Sequence, residues 1–284
     1  MRSTSWSPKM ILPPFVRDIA VFLTFWIVFL FFFIVPQRVR NSRAKYTPWL
    51  KGHFSHRGLY TKDQNMPENS LGAFARSMEL GYGIELDVQI SKDGKVFVFH
   101  DDDLFRMTGT SGILEEKTSE ELQKLRLKNS GEKIPLLSEV LALVDGKVPM
   151  LVELKTTKHK EKSVKAVVAL MNEYWGDYAY CSFDPLILTF LRGLAPKQLR
   201  GLNMEFALNK TQFNWLTRIV LQFALLNFNC KPDYLSVDYT HVPFVYRFWR
   251  SFGAYGMKWA VPSQQEEDQL IGSCETVIFE HYLP

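Results

Sequence analysis

Two carboxylates stand two residues apart in the stretch IELDVQI, at Glu85 and Asp87. On a β-strand that spacing sends both side chains to one face and Ile84, Leu86 and Val88 to the other. Side by side the two acids repel, and burying them is costly unless a cation or a proton compensates. The spacing therefore asks for a metal ion or an acid/base role, with a solvated strand bearing one polar face as the plain alternative. Glu153 and Lys155 in LVELK repeat the spacing at the end of another apolar run, adding a third carboxylate and a cation. His100 closes the run KVFVFH just before Asp101-Asp102-Asp103, which puts an imidazole where strand becomes loop. The acidic triplet lacks the alternating ligands, central Gly and final Glu of an EF-hand. His56-Arg57-Gly58 supplies a second imidazole able to move a proton near neutral pH and a guanidinium fork matched to phosphate. Gly58 would let the backbone approach a ligand, and Arg57 would serve equally well in a structural pair with Glu68. His53, His159, His241 and His281 have no comparable setting.

Such groups need a frame that aims them at one point. From about residue 53 short apolar runs alternate with helical patterns, the signature of βα units around a parallel sheet. Strands are predicted at His53 to His56, Gly83 to Gln89, Val96 to Phe99, Val148 to Leu154, Ala179 to Ser182, Leu199 to Asn203, Tyr234 to Val237, Met257 to Val261 and Thr276 to Phe279. Apolar residues at spacings of three and four predict helices at Leu71 to Leu80, Leu137 to Val144, Glu161 to Trp175, Pro185 to Leu194, Trp215 to Phe228, Val245 to Phe252 and Glu266 to Ile271. The expected fold is α/β, a TIM (β/α)8 barrel, whose chemistry gathers at the C-terminal ends of its strands. Residues 101–133, rich in Gly, Ser, Thr and charge, read as a small insertion after an early strand.

Composition bounds the rest. A chain of 284 residues has room for a deep core and a concave site. The net charge of +4 gives no case for a nucleic-acid partner. Three scattered Cys without CxxC spacing exclude a disulfide framework or structural zinc and leave buried thiols. From Ile19 to Val35 the chain carries no charge, Gly or Pro, enough helix to approach the thickness of a hydrocarbon core. The expected organisation is a tail at 1–18, one N-terminal transmembrane helix at 19–36, a basic linker at 37–51 and the barrel at 52–284. Arg38, Arg40, Arg43, Lys45 and Lys51 outnumber Arg2, Lys9 and Arg17, which places the barrel on the cytoplasmic side of the membrane. The aromatic stretches TQFNWLTRIVLQFALLNF and FVYRFWRSF fit either packing on the barrel or contact with a bilayer surface.

The ordered motifs HRG (His56 to Gly58), PENS (Pro67 to Ser70), ELD (Glu85 to Asp87), SKDGKVFVFHDDDLFRMTGTSG (Ser91 to Gly112) and VELK (Val152 to Lys155) closely resemble the glycerophosphodiester phosphodiesterase family. CSFDPLILTFLR, the MKWAV strand with Trp259 and the ending IFEHYLP resemble its later segments more loosely. The resemblance implies a TIM barrel in which Glu85, Asp87 and Glu153 bind one divalent cation, Mg²⁺ or Ca²⁺. It implies His56 and His100 as the acid/base pair, and Arg57 and Lys155 as phosphate ligands. Glu68 and Asn69 become positioning groups, and Trp259 lines the substrate site. The implied reaction turns a glycerophosphodiester or lysophospholipid into an alcohol and a glycerol phosphate through a cyclic phosphate. Two departures, at Arg106-Met107-Thr108 and at Glu280-His281-Tyr282-Leu283-Pro284, are expected to touch the barrel edge rather than the chemistry. Two other readings stay open: a phospholipase D-like lipase or lyase acting on lysolipid or sphingolipid headgroups, and a membrane-tethered module that binds glycerophosphodiesters without cleaving them. The oligomeric state is not legible.

Overall fold

A computed structural model describes the backbone of residues 13–34, 43–204 and 227–284, with side chains throughout these except at 28–34, 227 and 228. Nine strands form one sheet: β1 Gly52–Ser55, β2 Gly83–Ile90, β3 Val96–Val98, β4 Met150–Leu154, β5 Tyr178–Ser182, β6 Leu199–Met204, β7 Tyr234–Asp238, β8 Tyr255–Val261 and β9 Thr276–Phe279. Their order is β1-β9-β8-β7-β6-β5-β4-β2-β3, and β1 also pairs with β2. That last pairing closes eight parallel strands into the expected barrel. The ninth, β3, departs from a simple alternation: it pairs antiparallel to the upper part of β2, Val88 opposite Val98. A Ser-Lys-Asp-Gly turn at Ser91 to Gly94 allows this reversal, with Gly94 at φ 85°.

Helices pack around the cylinder: α2 Leu71–Glu79, α5 Leu137–Val144, α6 Lys160–Met171 and α7 Pro185–Leu194, with short α3 Phe105–Thr108 and α4 Ser119–Lys124 inside the insertion. Their starts are written in the sequence. Ser70 accepts the Ala73 N–H at the head of α2, and Asp184 accepts the Leu186 N–H ahead of Pro185 in α7. The predicted helix from Glu161 to Trp175 stops at Met171, and that at Glu266 to Ile271 forms instead at Gln264–Asp268, where Ser263 caps the first turn. The predicted helix at Trp215 to Phe228 lies almost wholly outside the described residues, as does most of the aromatic stretch from Thr211. In Phe244–Ser251, by contrast, Val245, Tyr246 and Trp249 are buried while Phe244 stays exposed, so that helix packs on the barrel along one face.

Strand alternation divides the core. Ile84, Leu86, Val88, Val152 and Leu154 point outward into a layer shared with α2, α5, α6 and α7. The lower barrel interior is filled by Phe54, Leu151, Ala179, Tyr234, Tyr255, Met257 and Ile278. Gly201 makes room for this filling, since a Cβ there would lie 1.9 Å from the Tyr234 ring. Residues 43–50, assigned from sequence to a basic linker, instead form the barrel floor: Ala44 and Leu50 are fully buried and Trp49 packs beside them. Arg43 bonds Asp233 at 3.0 Å and the Gln198 carbonyl at 2.9 Å, which takes that basic residue out of any free tether.

The insertion also has its own small core of Phe97, Phe99, Leu104, Met107, Leu114, Leu122, Leu127 and Ile134. Preceding all of this is α1, the 21-residue helix Pro14–Ile34. Its side chains are described as far as Ile27. Among the described residues no helix is long and apolar enough to cross a membrane.

Candidate active site

The parallel register sets Asp87 opposite Glu153, and Glu153 opposite Cys181, all facing inward near the C-terminal rim. With Glu85 one inward position below Asp87, three carboxylates place oxygens within 4.8 Å of one another, and all three residues are buried. Few charges offset them. Lys155 Nζ lies 2.8 Å from Glu153 and 3.5 Å from Asp87. Arg57 Nε lies 3.4 Å from Asp87. Burial, with Asp87 and Glu153 close by, pushes the Glu85 carboxyl well above its ordinary range. Asp87 goes the other way: burial opposes its charge, but Lys155, His100 and Arg57 together hold it below the usual carboxylate range. Lys155 is raised by Glu153 and Asp87 against the same burial penalty.

Local backbone geometry aims the remaining groups. After β1 the chain turns through Arg57 at φ 54° and Gly58 at φ 78°. This left-handed pair directs the Arg57 N–H to Glu85 at 3.1 Å and its Nη1 to Glu68 at 2.8 Å. Gly58 does not face a ligand, as the sequence suggested; it lies against α2, where a Cβ would meet Ala73 at 2.9 Å. Asn69 holds the rim from the side, donating Nδ2 to Asp87 at 2.9 Å while its N–H reaches the Arg57 carbonyl at 2.9 Å. Asn203, which no sequence pattern marks, donates to the other oxygen of Glu153 at 2.8 Å.

Both histidines reach this centre, each backed by a carboxylate. His56 Nδ1 lies 2.8 Å from Glu280, which also accepts the Tyr60 hydroxyl at 2.9 Å. His100 Nδ1 lies 2.7 Å from Asp101. The hairpin reversal of β3 delivers His100: the Phe99 N–H pairs with the Asp87 carbonyl at 2.9 Å, and Gln89 Nε2 ties down the carbonyls of Phe99, His100 and Asp101. The sequence placed His100 at a strand end facing the rim, but as part of an ordinary barrel strand rather than a returning one. Glu280 and Arg106 belong to the two segments expected to touch only the barrel edge. Both lie on the site instead, Glu280 on His56 and Arg106 on Asp101 and Glu68. A Glu beyond the last strand, at the rim height of the other carboxylates, was the available signal for the first. An Arg in a Gly- and Ser-rich insertion gave none for the second.

A cavity of about 370 Å³ opens over these groups, lined on one side by His56, Arg57, Glu85, Asp87, His100, Glu153 and Lys155. Cys181, Phe183, Asn203, Trp259, Ala260 and Ile278 line the other. Trp259 meets Phe183 edge-on at 5.7 Å between ring centres. Among the described residues Trp259 Nε1 is buried without a hydrogen-bond partner and Arg57 Nε has only its 3.4 Å ion pair with Asp87, donors suited to an oxygen-rich ligand. A second cavity of about 280 Å³, on the far side of Glu280, contains none of the carboxylate triad.

Three converging carboxylates with excess negative charge fit a hard divalent cation with oxygen ligands. Fold and site thus define a (β/α)8 barrel whose open rim combines a hard-cation cradle with phosphate-matched cations. The sequence profile of the glycerophosphoryl diester phosphodiesterase family matches residues 56–264, and the chain belongs to that family. It is 45% identical over 100 residues to a glycerophosphodiester phosphodiesterase of Caldanaerobacter subterraneus subsp. tengcongensis, covering 33% of this chain and 40% of the relative. Against human glycerophosphodiester phosphodiesterase 1 it is 30% identical over 149 residues, 49% of this chain and 44% of the relative. The chain spans about half or less of the length of these curated relatives. The barrel also superposes on an Oleispira antarctica phosphodiesterase solved with its product sn-glycerol-3-phosphate. That match has a TM-score of 0.67 and 22% identity, covering 80% of this chain and 92% of the other.

Proposed function

We propose that this protein is a membrane-anchored, divalent-cation-dependent phosphodiesterase. It hydrolyses glycerophosphodiesters, or lysophospholipids that retain a free glycerol hydroxyl, to an alcohol and a glycerol phosphate. One observation carries the reading: a buried carboxylate triad, two carboxylate-backed histidines and two cations border a single cavity. The activity named for the relatives agrees with it.

In this reading Glu85, Asp87 and Glu153 hold Mg²⁺ or Ca²⁺. The bound ion supplies charge neutralisation at the non-bridging phosphate oxygens. Arg57 and Lys155 bind the same oxygens from the chain's side, and Asn69 and Asn203 keep Asp87 and Glu153 in place. Ionised Glu280 and Asp101 accept from the Nδ1–H of His56 and His100, leaving each Nε2 to exchange protons with substrate. One imidazole takes the proton of the neighbouring glycerol hydroxyl as that oxygen attacks phosphorus; the other protonates the departing alcohol. Water then opens the cyclic phosphate with the two roles reversed. Phe183 and Trp259 border the space for the leaving group.

The anchor rests on α1. Its described apolar side chains, from Phe15 to Ile27, include Phe22, Phe25 and Ile27 at more than 60% exposure, and in sequence the uncharged run continues to Val35, beyond the described side chains. The flanking positive charges favour a single pass with the barrel on the cytoplasmic side. Protease protection of the barrel in sealed vesicles tests that placement.

The deciding assay follows glycerophosphocholine and lysophosphatidylcholine by phosphorus NMR, with and without chelator. The reading expects an open glycerol phosphate monoester and loss of turnover on chelation, restored by Mg²⁺ or Ca²⁺. An accumulating cyclic ester would favour the lyase, and tight binding without turnover the binding module.

A further inference from the structure

Arg106 lies outside the barrel, on α3 of the insertion, yet its guanidinium is committed wholly to site groups. Nη1 and Nη2 reach the two oxygens of Glu68 at 3.0 and 2.6 Å. Nη2 also lies 3.0 Å from Asp101 Oδ1, and Nε bonds Asp101 Oδ2. Each carboxylate then passes the restraint on. Asp101 Oδ1 holds His100 Nδ1 at 2.7 Å, and Glu68 Oε1 holds Arg57 Nη1 at 2.8 Å.

We propose that Arg106 is a positioning residue for two parts of the site at once, locking His100 through Asp101 and Arg57 through Glu68. This rests on the phosphodiesterase reading, in which His100 transfers a proton and Arg57 binds phosphate. Only a planar fork can serve both carboxylates together; an ammonium is a point charge that satisfies one of them. Glu68 is 5% exposed and lies between two guanidinium groups, which hold its carboxyl below the usual range despite burial. Without Arg106, Glu68 keeps only Arg57 among the described residues, and Asp101 is left to rotate with His100. The separate core of the insertion, in which Met107 is buried next to Arg106, gives the clamp a rigid backing. The insertion thereby acts on the reaction without lining the cavity.

The arms of the clamp are separable. Asp101→Asn should lower kcat about 10-fold to 100-fold on glycerophosphocholine with KM nearly unchanged, since it disturbs proton transfer. Glu68→Gln should raise KM several-fold with a smaller change in kcat, and Arg106→Met should do both. Arg106→Lys should restore at most one of the two parameters. Selective ¹⁵N-histidine labelling gives a readout independent of turnover. In the parent, His100 should hold its proton on Nδ1, whereas Arg106→Met and Asp101→Asn should give a tautomer mixture. The signals of the other five histidines should stay in place, which certifies the fold. Should Arg106→Met fail to fold, the Asp101 and Glu68 variants carry the same test. The proposal is overturned if Arg106→Met leaves the His100 tautomer and KM at parental values, or if Arg106→Lys restores kcat and KM together. A parent inactive on every glycerophosphodiester would sink the functional reading, while the tautomer experiment would still decide the clamp.

Discussion

The two walls of the cavity are built from different halves of the barrel and from different chemistry. Among the described residues, every charged group of the site except Glu280 comes from β1 to β4 and the loops that follow them. The second half contributes Cys181, Phe183, Asn203, Trp259, Ala260 and Ile278. Proton transfer and phosphate binding need fixed charges at exact separations, which hydrogen bonds to neighbours on adjacent strands provide. Holding an alcohol group needs only a shaped, mostly apolar surface. Under the proposed function, one half would set whether turnover occurs and the other which alcohol group is accepted.

That division can be broken by substitution on either wall. The largest effect is expected from His56→Ala or His100→Ala, each lowering kcat by about 10²-fold or more in a steady-state assay. Loss confined to KM would take the histidines out of proton transfer. Next comes Glu153→Gln, which removes one triad charge and frees Lys155; turnover should fall steeply and the half-saturating Mg²⁺ concentration should rise. On the apolar wall, Trp259→Phe removes an indole N–H but keeps an aromatic ring. Here KM should change by roughly threefold to tenfold, with a shift in preference between glycerophosphocholine and glycerophosphoethanolamine and little change in kcat. A large fall in kcat with unchanged preference would dissolve the distinction between the walls.

A smaller, pH-dependent effect sharpens the account of the charged wall. The folded-state pKa of Glu85 is raised above its unfolded value. Its contribution to cation-free stability is therefore complete below the ordinary Glu range and is lost as pH rises through the folded pKa. Binding a dication favours the ionised form and opposes that loss. Scanning calorimetry should accordingly show a larger cation-induced rise in Tm at pH 8 than at pH 5. An equal rise at both values would mean that Glu85 carries no displaced proton.

The charged wall was also the more legible one. Glu85, Asp87, Glu153 and Lys155 announce themselves because period-two alternation on a strand is local, and the register of parallel strands then brings them together. The nine predicted strands all have counterparts for the same reason. What escaped depends on contacts between distant segments. Glu280 meets His56 across 224 positions, Asn203 meets Glu153 across 50, and Arg106 reaches back 38 to Glu68. The antiparallel course of β3 was hidden because a short apolar run reads alike in either direction. Gly58 was misjudged because a glycine needed for a left-handed turn against Ala73 looks the same in sequence as one needed beside a ligand.

The chain enters the barrel from beneath. Arg43 is fastened to Asp233 and to backbone just ahead of β6, and the Leu50 carbonyl accepts the Thr276 hydroxyl at the start of β9. All of these lie at the closed end, with the reactive rim opposite. Nine residue steps separate Ile34 from Arg43, a contour of at most about 32 Å. A pull on α1 is therefore borne at the closed end, away from the residues that line the cavity.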